Sequence, residues 1–101
     1  MARFEVFAAP AQSGAAWLLD VQANLLEDLA TRIVVPLMPL SASLKPVRQL
    51  NPVFEIEGQD CMMLTQALAS IPARELKRPV TSLAARQDEI TQALDLLLTG
   101  F

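Results

Sequence analysis

The stretch LAARQDEITQALDLLLTGF, residues 83–101, carries the only sustained helical period in the sequence. Leu83, Ile90, Ala93, Leu94, Leu97 and Leu98 recur at spacings of three, four and seven, which sets them on one side of a helix running from Leu83 to Leu98. Thr81 or Ser82 supplies a cap at its start and Gly100 a stop at its end. Gln87, Asp88, Thr91, Gln92 and Asp95 take the wet side, while Leu96 falls at its margin, where a monomer has no use for a leucine. Everything upstream reads as short strands, and one helix cannot wind a parallel sheet. The expected fold class is therefore α+β, a mostly antiparallel, strongly curved sheet of several strands with one C-terminal helix packed on it, all within one domain spanning residues 1–101.

RFEVFA (3–8) alternates Phe4, Val6 and Ala8 against Arg3, Glu5 and Phe7, the pattern of a first strand with one buried face. The loop AAPAQSGAA follows. AWLLDVQ (16–22) fits a second strand, and TRIVVPL (31–37) a third, rich in β-branched residues and ended or placed at a sheet edge by Pro36. NLLEDLA (24–30) between them is only about two helical turns long and is expected to be a structured loop, with one of Leu25 and Leu26 in the core and the other partly exposed. NPVFEIEGQDCMML (51–64) is the clearest hairpin, two strands joined around Glu57, Gly58, Gln59 and Asp60 with Gly58 free to take positive φ. IPARELKRP (71–79) holds a basic cluster, Arg74, Lys77 and Arg78, expected on a solvated surface.

A chain of 101 residues buries roughly two-thirds of its unfolded surface, so no disulfide or metal is needed to hold a core. Hydrophobic residues make up 52% and charged residues 19%, an apolar excess that an oligomer interface would use. The net charge of −3 and the eight Lys plus Arg argue against direct nucleic-acid binding, which calls for a basic face. Cys61 is the single cysteine and reads as a small buried hydrophobe. Histidine is missing altogether, which removes the commonest general base and the commonest metal ligand.

MARFEVFAAP does not read as a signal peptide, and IVVPLMPL, broken by two prolines, is far short of the roughly 20 residues a membrane span needs. A cytoplasmic protein is expected. There is no phosphate loop, no metal-ligand spacing and no nucleophile elbow. Glu55 and Glu57 read as the solvated side of the hairpin. The expectation is a protein without catalytic residues, metal or cofactor.

Four stretches in order, LDVQ (19–22), VVPL (34–37), MMLT with ASIP (62–72) and the ending ALDLLLTGF, resemble the CcdB family of toxins, the toxin half of plasmid and chromosomal toxin–antitoxin pairs, over the whole chain. The resemblance implies an SH3-barrel-like sheet with a C-terminal helix, as in CcdB and MazF toxins. It also implies a symmetric homodimer that poisons DNA gyrase by binding the gyrase A subunit while cleaved DNA is held, until a cognate CcdA-like antitoxin removes it, a scheme that serves plasmid maintenance. No bond is made or broken by such a toxin.

Carried over to this sequence, the implied gyrase-binding residues are Leu25, Leu26, Asp95, Leu98, Thr99, Gly100 and Phe101. The family ends in Trp-Gly-Ile, so Thr99 stands where the anchoring Trp is usual, and Asp95 where Asn is usual. Arg74, Lys77 and Arg78 are the candidate antitoxin contacts, because an acidic disordered peptide would be drawn to them. The nearly uncharged loop 8–16 departs from the charged loop that the family offers its antitoxin. Two other readings stand beside the gyrase poison: a CcdB-fold protein that keeps its antitoxin but has lost or changed its target, and an endoribonuclease of the MazF kind, which would want a basic RNA groove and a positioned base.

Overall fold

Short runs of apolar and β-branched residues, punctuated by Pro, Gly and Asn, divide the described residues into seven strands before one α-helix. In the computed structural model, which describes residues 2–41 and 45–100, these are β1 (Glu5–Ala8), β2 (Trp17–Asp20), β3 (Thr31–Pro39), β4 (Val53–Ile56), β5 (Gln59–Met63), β6 (Ala69–Pro72) and β7 (Pro79–Ser82), followed by α1 (Gln87–Thr99). The pairings among these seven strands are antiparallel. The order is β4-β5-β3-β2-β1-β7, with β6 also paired to β3. The long strand β3 thus shares one side between β6 and β5, which lets the sheet curl.

Pro36 neither ends β3 nor marks an edge. Leu64 N–H donates to the Pro36 carbonyl (2.9 Å), so the backbone groups of Pro36 face the β5 and β6 side. There β6 pairs only as far as Val34 and β5 begins at Leu37. The N–H that proline lacks would point into the gap, where no ladder bond is lost.

Both faces of the sheet are covered. Val6, Leu19, Val35, Leu37, Phe54, Ile56 and Met63 form the main core together with Ile90 and Ala93 of α1, and each fully buried aliphatic side chain there contributes about 1.5 to 3 kcal/mol. On the opposite face Phe7, Leu18 and Val34 pack under Leu76. The alternation of RFEVFA therefore misleads for Phe7, which is buried because the segment after β6 folds over it.

The hairpin turn has two residues, Glu57 (φ 51°) and Gly58 (φ 81°), with Ile56 opposite Gln59. Both signs are positive, as a type I′ turn demands. Gln59 and Asp60 therefore belong to β5. Asn51 ties the preceding loop down by donating from Nδ2 to the Met63 carbonyl (2.9 Å) and accepting from Val47 N–H (2.9 Å).

The helix starts later than its apolar period suggests. Ser82 Oγ accepts from Ala84 N–H (3.2 Å), but what it opens is a 3₁₀ turn, Ala84–Arg86, and the α-helix begins at Gln87. Arg86 lies over the Phe54 ring, 4.7 Å from its centroid, and pairs with Glu89 in the first turn. At the other end Gly100 takes φ 81° and donates to the Leu96 carbonyl (3.0 Å), the left-handed stop expected of it. Leu98, placed by periodicity among the buried positions, is 70% exposed. Among the described residues no helix is long and apolar enough to cross a membrane.

Candidate functional site

The loop after β2 is built on the polar residues of LDVQ. Asp20 and Arg32 are completely buried, and Arg32 donates from Nε (3.0 Å) and Nη2 (2.6 Å) to Asp20 Oδ2. The other carboxylate oxygen accepts from Gln22 N–H (3.0 Å). Gln22, also buried, then bridges outward: its Oε1 accepts from Ile33 N–H (3.1 Å) and its Nε2 donates to the Leu26 carbonyl (2.9 Å). From the other side Asn24 Oδ1 accepts from Arg3 N–H (2.7 Å). These bonds fix a 3₁₀ turn, Asn24–Leu26.

Fixing the turn exposes its leucines. Leu25 is 92% exposed and Leu26 47%, so neither enters the core, contrary to the expectation that one of them would. Between this turn and the last turns of α1 lies a groove of about 480 Å³, lined by Val21, Leu26, Ile33, Leu68, Leu94 and Leu98 with Arg3, Gln22, Ala23, Thr91 and Asp95. Leu26, Asp95 and Leu98, distant in sequence, meet here. Leu25 stands beside the groove on the same turn. Thr99 is exposed at the helix end, and its hydroxyl donates back to the Asp95 carbonyl (2.7 Å). Gly100 is the helix stop, and Phe101 lies outside the described residues.

Arg74, Lys77 and Arg78 are exposed on the opposite side of the sheet from the main core, around buried Leu76. Lys77 Nζ donates to the Arg74 carbonyl (3.1 Å). Lys77 also lines a second hollow of about 370 Å³ with Glu75, Ala8, Ala9 and Pro10. The basic cluster and the start of loop 8–16 therefore share one surface.

Among the described residues no three His, Cys, Asp or Glu side chains gather as metal ligands. Burial, and then the charge of Asp60, push the thiol of Cys61 up, which keeps it protonated and inert at neutral pH.

Sequence reasoning missed Asp20, Arg32, Gln22 and Arg3. The signal was present as polar residues interrupting apolar strands, in LLDVQ and TRIVV, which is where a buried ion pair has to be written.

The model of the CcdB family, described as CcdB protein, matches residues 3–100. The chain belongs to the CcdB family. That membership sets it with the toxins of toxin–antitoxin systems. The fold is also similar to solved structures related only distantly in sequence. An endoribonuclease in complex with its cognate antitoxin, from mycobacterial species, has a TM-score of 0.79 at 17% identity, covering 97% of this chain and 94% of that one. The Mycobacterium tuberculosis toxin MazF-mt6 has a TM-score of 0.73 at 13% identity, covering 92% and 94%. A further Mtb toxin has a TM-score of 0.66 at 16% identity, covering 81% and 91%. At such identities the likeness is one of fold, and the CcdB family thus shares with the MazF-like toxins a curled antiparallel sheet with one C-terminal helix.

Proposed function

We propose that the chain is the toxin of a toxin–antitoxin pair that binds the DNA gyrase A subunit and traps gyrase on cleaved DNA, with no bond made or broken by the toxin itself. The observation that carries this reading is the convergence of Leu26, Asp95 and Leu98 on one groove, with Leu25 almost wholly exposed beside it. Exposed leucines around a preformed groove make an interface anchor, and a monomer gains nothing from them. The assembly is a homodimer, and the neutralising partner is an acidic, disordered antitoxin that engages Arg74, Lys77 and Arg78 and the hollow beside Lys77.

Thr99 favours a second reading, in which the antitoxin is kept and the target has changed. Its hydroxyl is turned back onto the helix, where the family presents a Trp. Loss of an aromatic anchor costs about 2 to 4 kcal/mol, or roughly 30-fold to 1000-fold in affinity.

Purified protein incubated with gyrase, ATP and plasmid, then denatured with detergent, tests the first reading. Linear DNA that increases with protein concentration is expected. No linear DNA, and no binding to isolated gyrase A subunit, would hand the case to the second. Cleavage of RNA by the protein alone would replace both with the endoribonuclease reading.

A further inference from the structure

The residue that leads into β1 has an unusual backbone. Phe4 takes φ 74°, and Glu5 N–H donates to the Ala2 carbonyl (3.3 Å), so residues 2–5 form a β-turn whose third residue alone has positive φ, a type II turn. Glycine or asparagine ordinarily fills that place. A bulky side chain there is strained, and it stays only where its surroundings hold it. Here they do: the Phe4 ring is buried in the main core, its N–H donates to the Asp20 carbonyl (2.7 Å), and its carbonyl accepts from Leu83 N–H (2.8 Å). Arg3, the second residue of the turn, is thereby carried to the leucine turn. Its N–H donates to Asn24 Oδ1 (2.7 Å), its Nε donates to the Val21 carbonyl (2.9 Å), and its guanidinium lies 4.5 Å from the Phe4 ring centroid. The 3₁₀ turn is thus held at Asn24 by Arg3 and at Leu26 by Gln22.

We propose that Arg3 is a positioning residue of the target-binding groove, placed over the leucine turn by the left-handed conformation of Phe4 and acting through Val21 and Asn24 to keep Leu25 and Leu26 in their docking geometry before the target arrives. This rests on the reading of the groove as the gyrase-binding surface and adds what keeps that surface ready. Leu25 and Leu26 have no place in the core, so apolar packing does not set their turn, and its geometry depends on these polar ties. A looser turn would have to be ordered on docking, and affinity would fall in proportion to the fraction of molecules in which it is correctly formed. The aromatic residue at position 4 fits this role better than glycine would. Glycine would adopt the positive φ freely, but it would bring neither a core anchor for the turn nor a ring for the Arg3 guanidinium to lie on.

Three variants of the full chain test this. Arg3→Ala removes the Nε bond and the ring contact but keeps the N–H, Asn24→Ala removes the acceptor of that N–H, and Arg3→Pro removes all three contacts while suiting the second position of a type II turn. Leu26 N–H and Glu27 N–H donate to the carbonyls of Ala23 and Asn24, so their solvent exchange, followed by NMR, reads the state of the turn. In each of the first two variants that exchange should quicken about three- to tenfold relative to β4 and β5, and the Kd for gyrase A subunit should rise by a similar factor. Arg3→Pro should do more, and adding Asn24→Ala to it should change nothing further, because the donor is already gone. Unchanged exchange at Leu26 and Glu27, exchange quickened equally across the domain, additive effects in the double variant, or quickened exchange with an unchanged Kd would each overturn the proposal. If exchange responds as expected while wild type fails to bind gyrase A, the gyrase reading falls and the positioning of the leucine turn by Arg3 stands.

Discussion

Replacing Gln22 with Met should detach the leucine turn from the sheet while leaving the rest of the domain in place. Met matches Gln in length and flexibility, so the change removes two hydrogen bonds with little change of volume. The bond to the Leu26 carbonyl lies at a partly exposed turn, where water takes over, and its loss costs about 0.5 to 1 kcal/mol. The Ile33 N–H, partly buried between β2 and β6, is left without an acceptor, which costs about 1 to 3 kcal/mol. The sum, about 1.5 to 4 kcal/mol, is a large share of the stability of a domain of this size yet leaves it folded. Urea denaturation of wild type and Gln22→Met measures it, and amide hydrogen exchange at residues 24–27 reads the local effect. Exchange there should quicken more than in β4 and β5, and binding to gyrase A should weaken, because Leu25 and Leu26 would have to be ordered on docking. A stability loss under about 0.5 kcal/mol, or unchanged exchange in the turn, would refute the role given to Gln22.

Breaking the buried ion pair with Asp20→Leu should cost about 3 to 5 kcal/mol because a desolvated guanidinium is left uncompensated, and the double variant Asp20→Leu/Arg32→Met should regain most of that; denaturant curves that show the single change to be harmless would contradict the pairing. Glu89 is held below its ordinary pKa chiefly by the hydrogen bond from Arg86. The folded pKa is thus lower than the unfolded one, so this contribution is present above the unfolded value and lost as pH falls through the folded one. Because both side chains are about half exposed, it amounts to a few tenths of a kcal/mol; the stability gap between wild type and Glu89→Gln should close on acidification, and a gap that widens would reverse the sign. Light scattering should return twice the chain mass of 11.0 kDa at micromolar concentration, and a monomer would sink the homodimer.

The first five strands and the helix were legible because they depend on local signals: the leucines of the C-terminal segment, the Glu57-Gly58 turn and Gly100 as a stop. In contrast, β6 and β7, four residues each, carry too short a pattern and read only as part of a surface segment. What the sequence hid depends on contacts between distant segments. Phe7 is buried by Leu76, far along the chain, and no alternation within RFEVFA encodes that. Pro36 survives inside the sheet because β6 and β5 leave a gap opposite it. Leu25 and Leu26 stay outside because Gln22, buried just after β2, holds their turn by the Leu26 carbonyl. The resemblance to the CcdB family named Leu26, Asp95 and Leu98 individually, and folding showed that they line one groove.

The most direct test of the account is survival of cells after induced expression of wild type and Thr99→Trp in a host with sensitive gyrase and in one whose gyrase resists CcdB toxins. Restoring the indole supplies a large desolvated contact at the exposed end of α1. The account predicts killing by wild type in the sensitive host, stronger killing by Thr99→Trp, and rescue of both by the resistant gyrase. Equal killing in the two hosts, or no killing by either protein, would contradict gyrase as the target.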